Sequence, residues 1–427
     1  MAGQLQAVSR LHKYSSVVFR FIPICLMMRS MSLFFALLFF LAAFAQKKEI
    51  RQARSDIKKK TNLDKAETSM RNLLKDSSNI YNVKIYVTLA DAVRAQYEAE
   101  NEKLYLKAQA DTAKFFNTAR RMFHAYESLD SIDMMPDKKG RVKLDYRKKN
   151  AEYLNKYRSN LYNGGIYFAR KANYDAAYGM FDTYIDTRRQ PLFSDYAAYN
   201  VDSLYAKPAF WAIFCAYKAN RADSVFKYSD LALQDKKYRN RTFMYLSEAY
   251  LLEKDTAKYV ETLRKGFGEN MTSKFFFGRL MDYYNGKNRL DSAKSVVDAA
   301  LMCDSDNGLF LFAKSNLLLN MGRYQECIEI SDALIARNDT IADVYLNAGV
   351  SYINMALALE ADAKSKKKNR KKILDYYKKA LPYMEKYREM APDKKENWAQ
   401  SLYNIYLRLN MGSKFEEVSD ILKKMRQ

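Results

Sequence analysis

Apolar residues along this chain recur at intervals of three and four, in paired stretches, and the pairs themselves return every 34 residues. Tyr250, Tyr284, Leu318 and Tyr352 form one column at that spacing, and Phe243, Phe277, Leu311 and Tyr345 a second. Val225, Tyr259, Ala293 and Cys327 form a third, and Ala232, Gly266, Ala300 and Leu334 a fourth. Four columns sharing one interval set contiguous units beginning at Ala206, Asn240, Lys274, Gly308 and Ala342. Each unit has a first stretch of the kind VYLNAGVSYI (344–353) and a second of the kind YQECIEISDALI (324–335). Spacing of three and four puts the apolar side chains on one helical face, so each unit is predicted to hold two amphipathic helices. The connecting segments NMGRY (320–324) and NGKNRLD (285–291) supply Gly for a tight bend and Asp or Asn to cap the second helix.

The same pairing extends outward with less regular spacing. A unit starts at Arg158, and residues 192–205 form an irregular spacer before the next one. A last unit starts at Lys395, and its second helix, FEEVSDILKKM, is polar outside as a terminal cap requires. Upstream, NLDKAETSMRNLL (62–74) reads as a second helix, and 87–106 with 115–129 as another pair, closed by a loop at 129–141. One helix pair cannot bury both of its apolar faces, so neighbours must stack to make a core. The expected fold is all-α, an α-α superhelix of helix-turn-helix repeats with a long concave side. The expected organisation is a leader over 1–45, N-terminal helical pairs over 46–145, and a repeat array over 146–427.

These units resemble the tetratricopeptide repeat (TPR). That family's unit prefers a large residue at position 4, small ones at 8 and 20, and aromatic or large ones at 11 and 24. In the unit from Arg158 these fall on Leu161, Gly165, Phe168, Ala177 and Phe181. In the unit from Ala342 they fall on Tyr345, Gly349, Tyr352, Ala380 and Met384, followed by Tyr387 and Pro392. The units from Ala206 and Gly308 depart most from the pattern, Trp at position 4 occurs only as Trp398, and Pro at position 32 only as Pro392.

The resemblance implies a non-catalytic protein-interaction scaffold whose ligand contacts come from first-helix positions 2, 5, 9, 12 and 13. Here those positions give Tyr162, Arg170, Tyr217, Lys218, Arg241, Glu248, Asp282, Asn285, Asn316, Asn320, Asn354 and Tyr403, with Phe210 either in the groove or in the core. Some members clamp a peptide carboxylate with two Asn and three basic residues. Asn316 and Asn347 occupy the Asn places, but Phe312, Glu396 and Gln400 stand where the cations belong, which argues against such a clamp.

Charge and composition modify this picture in three places. Only 13 Gly and 6 Pro in 427 residues with 48% apolar content suit helices and not an all-β fold. MRSMSLFFALLFFLAAFAQKK (28–48) has the form of a secretory signal: Arg29, then an apolar run, then Ala43-Phe44-Ala45 before cleavage after Ala45. It implies an exported bacterial protein of the periplasm or Gram-negative cell envelope, with an uncleaved anchor helix as the alternative. Loss of the leader takes the formal charge from +23 to +19 and removes His12.

The third place is KSKKKNRKK (364–372), which lies in a 19-residue insertion (353–371) between the two helices of the unit from Ala342 and is expected on a projecting hairpin. Lys364, Lys366, Lys367, Lys368, Arg370, Lys371 and Lys372 there are either a solvated helix extension or a contact for anionic envelope lipid or polysaccharide. Nucleic acid is the least favoured partner, because the run contains no interleaved aromatics and export removes it from reach. An RNA-binding helical repeat would need the export reading to fail.

Chemistry finds little footing. Of four cysteines, Cys25 lies in the leader, and the three that remain, Cys215, Cys303 and Cys327, are odd in number and widely spaced, suiting buried core residues and neither a disulfide framework nor zinc. His124 is the only His after the leader, and no phosphate loop or nucleophile motif occurs. No cofactor, metal or catalytic residue is expected. Asp-Ser/Thr-apolar triplets at Asp111, Asp130, Asp202, Asp223, Asp255, Asp291 and Asp339 resemble an O-glycosylation sequon, and helix N-capping accounts for them equally.

Overall fold

The computed structural model describes residues 44–137, 139–199, 202–361 and 367–426, with side chains at 197–199, 202 and 203 set aside. The leader through Ala43, Lys364 and Lys366 lie outside the described residues. Within them the chain is helical and contains no strand, and no helix is long and apolar enough to cross a membrane. It divides into two compact units, one ending at Tyr238 and one running from Arg239.

The first unit contains α1 (44–59), α2 (Leu63–Leu73), α3 (Val83–Tyr105), α4 (Thr112–Asp133), α5 (Arg147–Asn155), α6 (Arg158–Arg170), α7 (Tyr174–Asp186), α8 (Asp202–Lys218), α9 (Ala222–Phe226) and α10 (Ser229–Ala232). The second contains α11 (Arg239–Leu252), α12 (Thr256–Glu269), α13 (Lys274–Gly286), α14 (Leu290–Cys303), α15 (Gly308–Asn320), α16 (Tyr324–Arg337), α17 (Ala342–Glu360), α18 (Arg370–Met390), α19 (Lys395–Arg408) and α20 (Gly412–Arg426). Successive helices pack on one another throughout the second unit.

Burial explains the columns. Val225, Ala293 and Cys327 are fully buried and Tyr259 nearly so, as are Ala232, Ala300 and Leu334, because each sits where the second helix of a pair meets its neighbours. The bend between paired helices has its own 34-residue column, Asn220, Lys254, Asn288 and Gly322, all at φ between 53° and 73°. That left-handed conformation is cheapest for Gly and next for Asn. In NGKNRLD it falls on Asn288 and not on Gly286, which corrects the sequence expectation. Capping also differs between pairs. Asn173 accepts from the Ala176 N–H and Asp255 from the Lys258 N–H, whereas Arg289 and Arg323 open α14 and α16 without a side-chain cap.

Irregularity concentrates in the first unit. Residues Pro191–Tyr199 form a 3₁₀ helix with a kink, and α8 starts at Asp202, upstream of the expected Ala206. The second helix of that pair is broken into α9 and α10, and at the break Lys227 Nζ and the Tyr228 hydroxyl both donate to Asp182 of α7, at 2.6 and 2.8 Å. The segment expected as a loop from 129 is helical through Asp133, and the boundary expected near 145 falls inside a unit in which α4 packs against α6 and α7. Asp130, 4% exposed, takes both guanidinium hydrogen bonds of Arg147 at 2.8 Å and so ties α4 to α5. Of the Asp-Ser/Thr-apolar triplets, those at Asp111 and Asp255 place Asp as a helix N-cap.

Candidate binding groove

On α6, Tyr162, Ile166, Ala169 and Arg170 follow one another at helical spacing, and on α8 so do Lys207, Trp211 and Phe214. These two faces, with Thr112 and Phe116 of α4, Asn163, Tyr167, Lys171 and Tyr238, line an open groove of about 930 Å³. Both α6 and α8 are first helices of their pairs. Its aromatic side chains hold each other in place. Trp211 meets Phe214 edge to face at 5.6 Å and 89°, Phe116 lies 5.4 Å from Tyr167, and Tyr162 rests against Phe181 at 5.7 Å and Tyr184 at 6.0 Å. Behind them Phe210, 2% exposed, stacks on Tyr238 at 4.3 Å, which makes it a core residue. The Trp211 indole N–H is buried and has no acceptor among the described residues.

The polar lining is one-sided. Arg170, Lys171 and Lys207 are exposed, and no carboxylate lines the groove. Lys207 Nζ lies 5.7 Å from the centre of the Tyr162 ring, and the Tyr162 phenol holds its pKa above the ordinary lysine value, so it carries its charge throughout the physiological range.

Only Tyr162 and Arg170 of the sequence candidates meet in this groove. Lys207 and Phe214 were not among the candidates, although they occupy positions 2 and 9 of the unit from Ala206 and the same register could have found them, whereas Phe116 and Tyr238 come from other elements. Tyr217 and Lys218 lie at the end of α8, with the ammonium 5.9 Å from the ring. In the second unit the candidates are dispersed. Arg241, Asp282, Asn285 and Asn320 are exposed, Asn354 is half-buried, and Tyr403 packs on Phe415 at 4.7 Å. Glu248 accepts from Arg279 at 3.0 Å. Asn347 is 3% exposed and donates to Asn316 Oδ1 at 2.7 Å and Ser315 Oγ at 3.0 Å. Its amide is committed inside the stack, so it is a packing residue and not a groove contact.

The basic run flanks a different surface. α17 and α18, at 19 and 21 residues, exceed the 13 to 15 of the other helices in their unit, and Lys367, Lys368, Arg370, Lys371 and Lys372 are exposed at the start of the second. Lys372 Nζ lies 5.7 Å from the Tyr376 ring, an aromatic just beyond the run.

His124 hydrogen-bonds Glu127 and Thr183, each at 3.2 Å. Cys215 and Cys327 are buried, with burial pushing the Cys215 thiol up to about 12, but Cys303 is exposed, against expectation, at the end of α14. Among the described residues no group of three or more His, Cys, Asp or Glu could hold a metal.

Small and large residues interlock between helices in a way that settles the architecture. A Cβ on Gly165 of α6 would lie 2.5 Å from Phe181 of its partner α7, and one on Gly266 of α12 would lie 2.3 Å from Phe276 of the next pair. With the 34-residue period, this is the packing of one repeat type. The fold is an all-α array of helix-turn-helix repeats.

Solved structures similar to this fold include TPR proteins. The C-terminal part of a TPR protein from Cytophaga hutchinsonii aligns at 12% identity over 60% of this chain and 92% of that one, with a TM-score of 0.39. YrrB, described as a TPR protein with an unusual peptide-binding site, aligns at 18% identity over 48% and 95%, with a TM-score of 0.34. A TPR protein from Bacteroides fragilis aligns at 16% over 62% and 98%, with a TM-score of 0.30. No family model and no curated protein matches the chain.

Proposed function

We propose that this protein is a non-catalytic scaffold of the bacterial cell envelope that holds an extended segment of a partner protein in the groove between α6 and α8. The observation that carries this reading is the groove: about 930 Å³, walled by aromatic rings that are already braced against one another. Rings fixed before binding lose little entropy on contact, and Tyr and Trp offer large area together with a polar edge. Envelope placement is supported by the form of residues 28–45.

A photo-crosslinking residue in place of Ile166, on the groove floor, tests the reading in intact cells, with one at exposed Asp175 as control. The expected result is a discrete protein adduct from position 166 alone. Adducts of equal yield from both positions, or none to protein from either, would sink it.

A second reading is favoured by the exposed cations from Lys367 to Lys372, which suit an anionic envelope lipid or polysaccharide. If replacing them abolishes envelope association while groove variants keep it, recruitment through this hairpin displaces the groove scaffold.

A further inference from the structure

We infer that the groove's occupant is an acidic protein segment carrying a large apolar or aromatic side chain. This rests on the reading of the groove as a protein-binding site and names what kind of segment it selects. The argument is local charge and not the net charge of the chain. Some cations elsewhere in the first unit are paired with acids, as Arg121 is with Glu67 at 3.6 Å, Arg147 with Asp130 at 2.8 Å, Arg221 with Asp175 at 3.4 Å and Lys227 with Asp182 at 2.6 Å, but the groove gathers three exposed cations and is lined by no carboxylate. Arg170, Lys171 and Lys207 have no carboxylate within ion-pair distance among the described residues, and all three border the same groove.

Unpaired cations of one sign along a concave surface attract and orient a segment of the opposite sign and repel a basic one. Between them the surface is apolar: Ile166 and Ala169 on α6, Phe214 and Trp211 on α8, and Phe116. A purely polar acidic chain would leave that floor wet, whereas an aromatic or large aliphatic side chain would bury it and act as the anchor. Charge at the rim with an apolar floor selects a segment that alternates the two chemistries.

Capped, fluorescein-labelled octapeptides provide the probes, with full-length mature protein and fluorescence anisotropy as the readout. One peptide is glutamate interrupted by two phenylalanines. Its counterparts replace glutamate by serine, glutamate by lysine, or phenylalanine by glutamate. The acidic, phenylalanine-containing peptide is expected to bind about tenfold more tightly than each of the others at low salt, and its advantage to shrink as salt is raised. The triple variant Arg170→Gln, Lys171→Gln, Lys207→Gln changes only exposed side chains and should keep the helical circular-dichroism spectrum while losing about tenfold in affinity for that peptide.

If the serine peptide binds equally and the triple variant binds like wild type, the acidic class is overturned while a peptide groove stands. Equal binding of the phenylalanine-free peptide overturns the apolar anchor. If no peptide binds and position 166 crosslinks to no protein, the groove reading itself fails.

Discussion

Replacing Gly266 by Ala puts a single methyl group into the contact between two neighbouring repeats. A Cβ there would lie 2.3, 2.4 and 2.8 Å from three ring carbons of Phe276, which is 0% exposed. Carbon atoms settle at about 3.5–4.0 Å, so the ring would have to retreat by more than about 1 Å inside a packed core. Overpacking of this kind costs about 1–3 kcal/mol. Gly266 also lies in the interior of α12, where Ala is the better helix former by about 1 kcal/mol, so the expected net loss is about 1 kcal/mol.

Gly278→Ala in α13 isolates the second term, because a Cβ at Gly278 meets nothing within 4 Å. It should stabilise the protein by about 1 kcal/mol. One chemical change at two helical glycines of the same unit is thus expected to move stability in opposite directions, by a difference of about 2 kcal/mol. For a unit of this size that corresponds to about 4–8 °C in thermal midpoint. Urea and thermal unfolding followed by circular dichroism measure it, and Phe276→Leu should recover part of the loss when combined with Gly266→Ala. Equal stability of the Gly266→Ala and Gly278→Ala variants would refute the close-packing argument.

Two further predictions concern buried charge. Arg158 is 6% exposed, its Nε and Nη2 have no partner, Nη1 reaches the Tyr205 hydroxyl at 3.4 Å, and the guanidinium lies 4.4 Å from the Phe193 ring, a setting that lowers its pKa by desolvation. Several kcal/mol of desolvation outweigh a cation-π contact of about 2 kcal/mol and one long hydrogen bond, so Arg158→Met is expected to raise the unfolding midpoint, and a clear loss would contradict this balance. Burial holds the Glu127 carboxyl above its ordinary range, partly countered by the hydrogen bond from His124. With a raised folded pKa, stability is complete below the unfolded value of about 4.3 and is lost as pH rises through the folded one. Glu127→Gln should therefore raise the midpoint by about 2 °C at pH 8 and leave it unchanged near pH 4, and equal effects at both would count against the burial explanation.

Much of the repeat register was legible because a period is a global property. One misaligned turn would have moved every later column off the buried face, and α13, α15, α17 and α19 begin at Lys274, Gly308, Ala342 and Lys395, where the spacing placed them. What period cannot register is a polar tie between helices, such as Lys227 and Tyr228 on Asp182, which coincides with the broken helix in the first unit.

The site was legible only in part for a related reason. Tyr162 and Arg170 emerged from helix position, yet Trp211 was not among the candidates, and Phe210 beside it reads as groove or core. Hydropathy gives both the same sign. Which one is covered depends on Tyr238, which stacks over Phe210, and on Phe116 of α4, which meets the open side.

Charge misleads in the same manner when read along the chain. Density picks out KSKKKNRKK, a run on an insertion that adds length to α17 and α18. Arg170, Lys171 and Lys207 stand out in no sequence window, because what joins them is their place on one groove that no carboxylate lines. Three charges beside braced aromatic rings restrict a partner more than the exposed run of Lys367, Lys368, Arg370, Lys371 and Lys372, because geometry fixes which groups the partner must present at once.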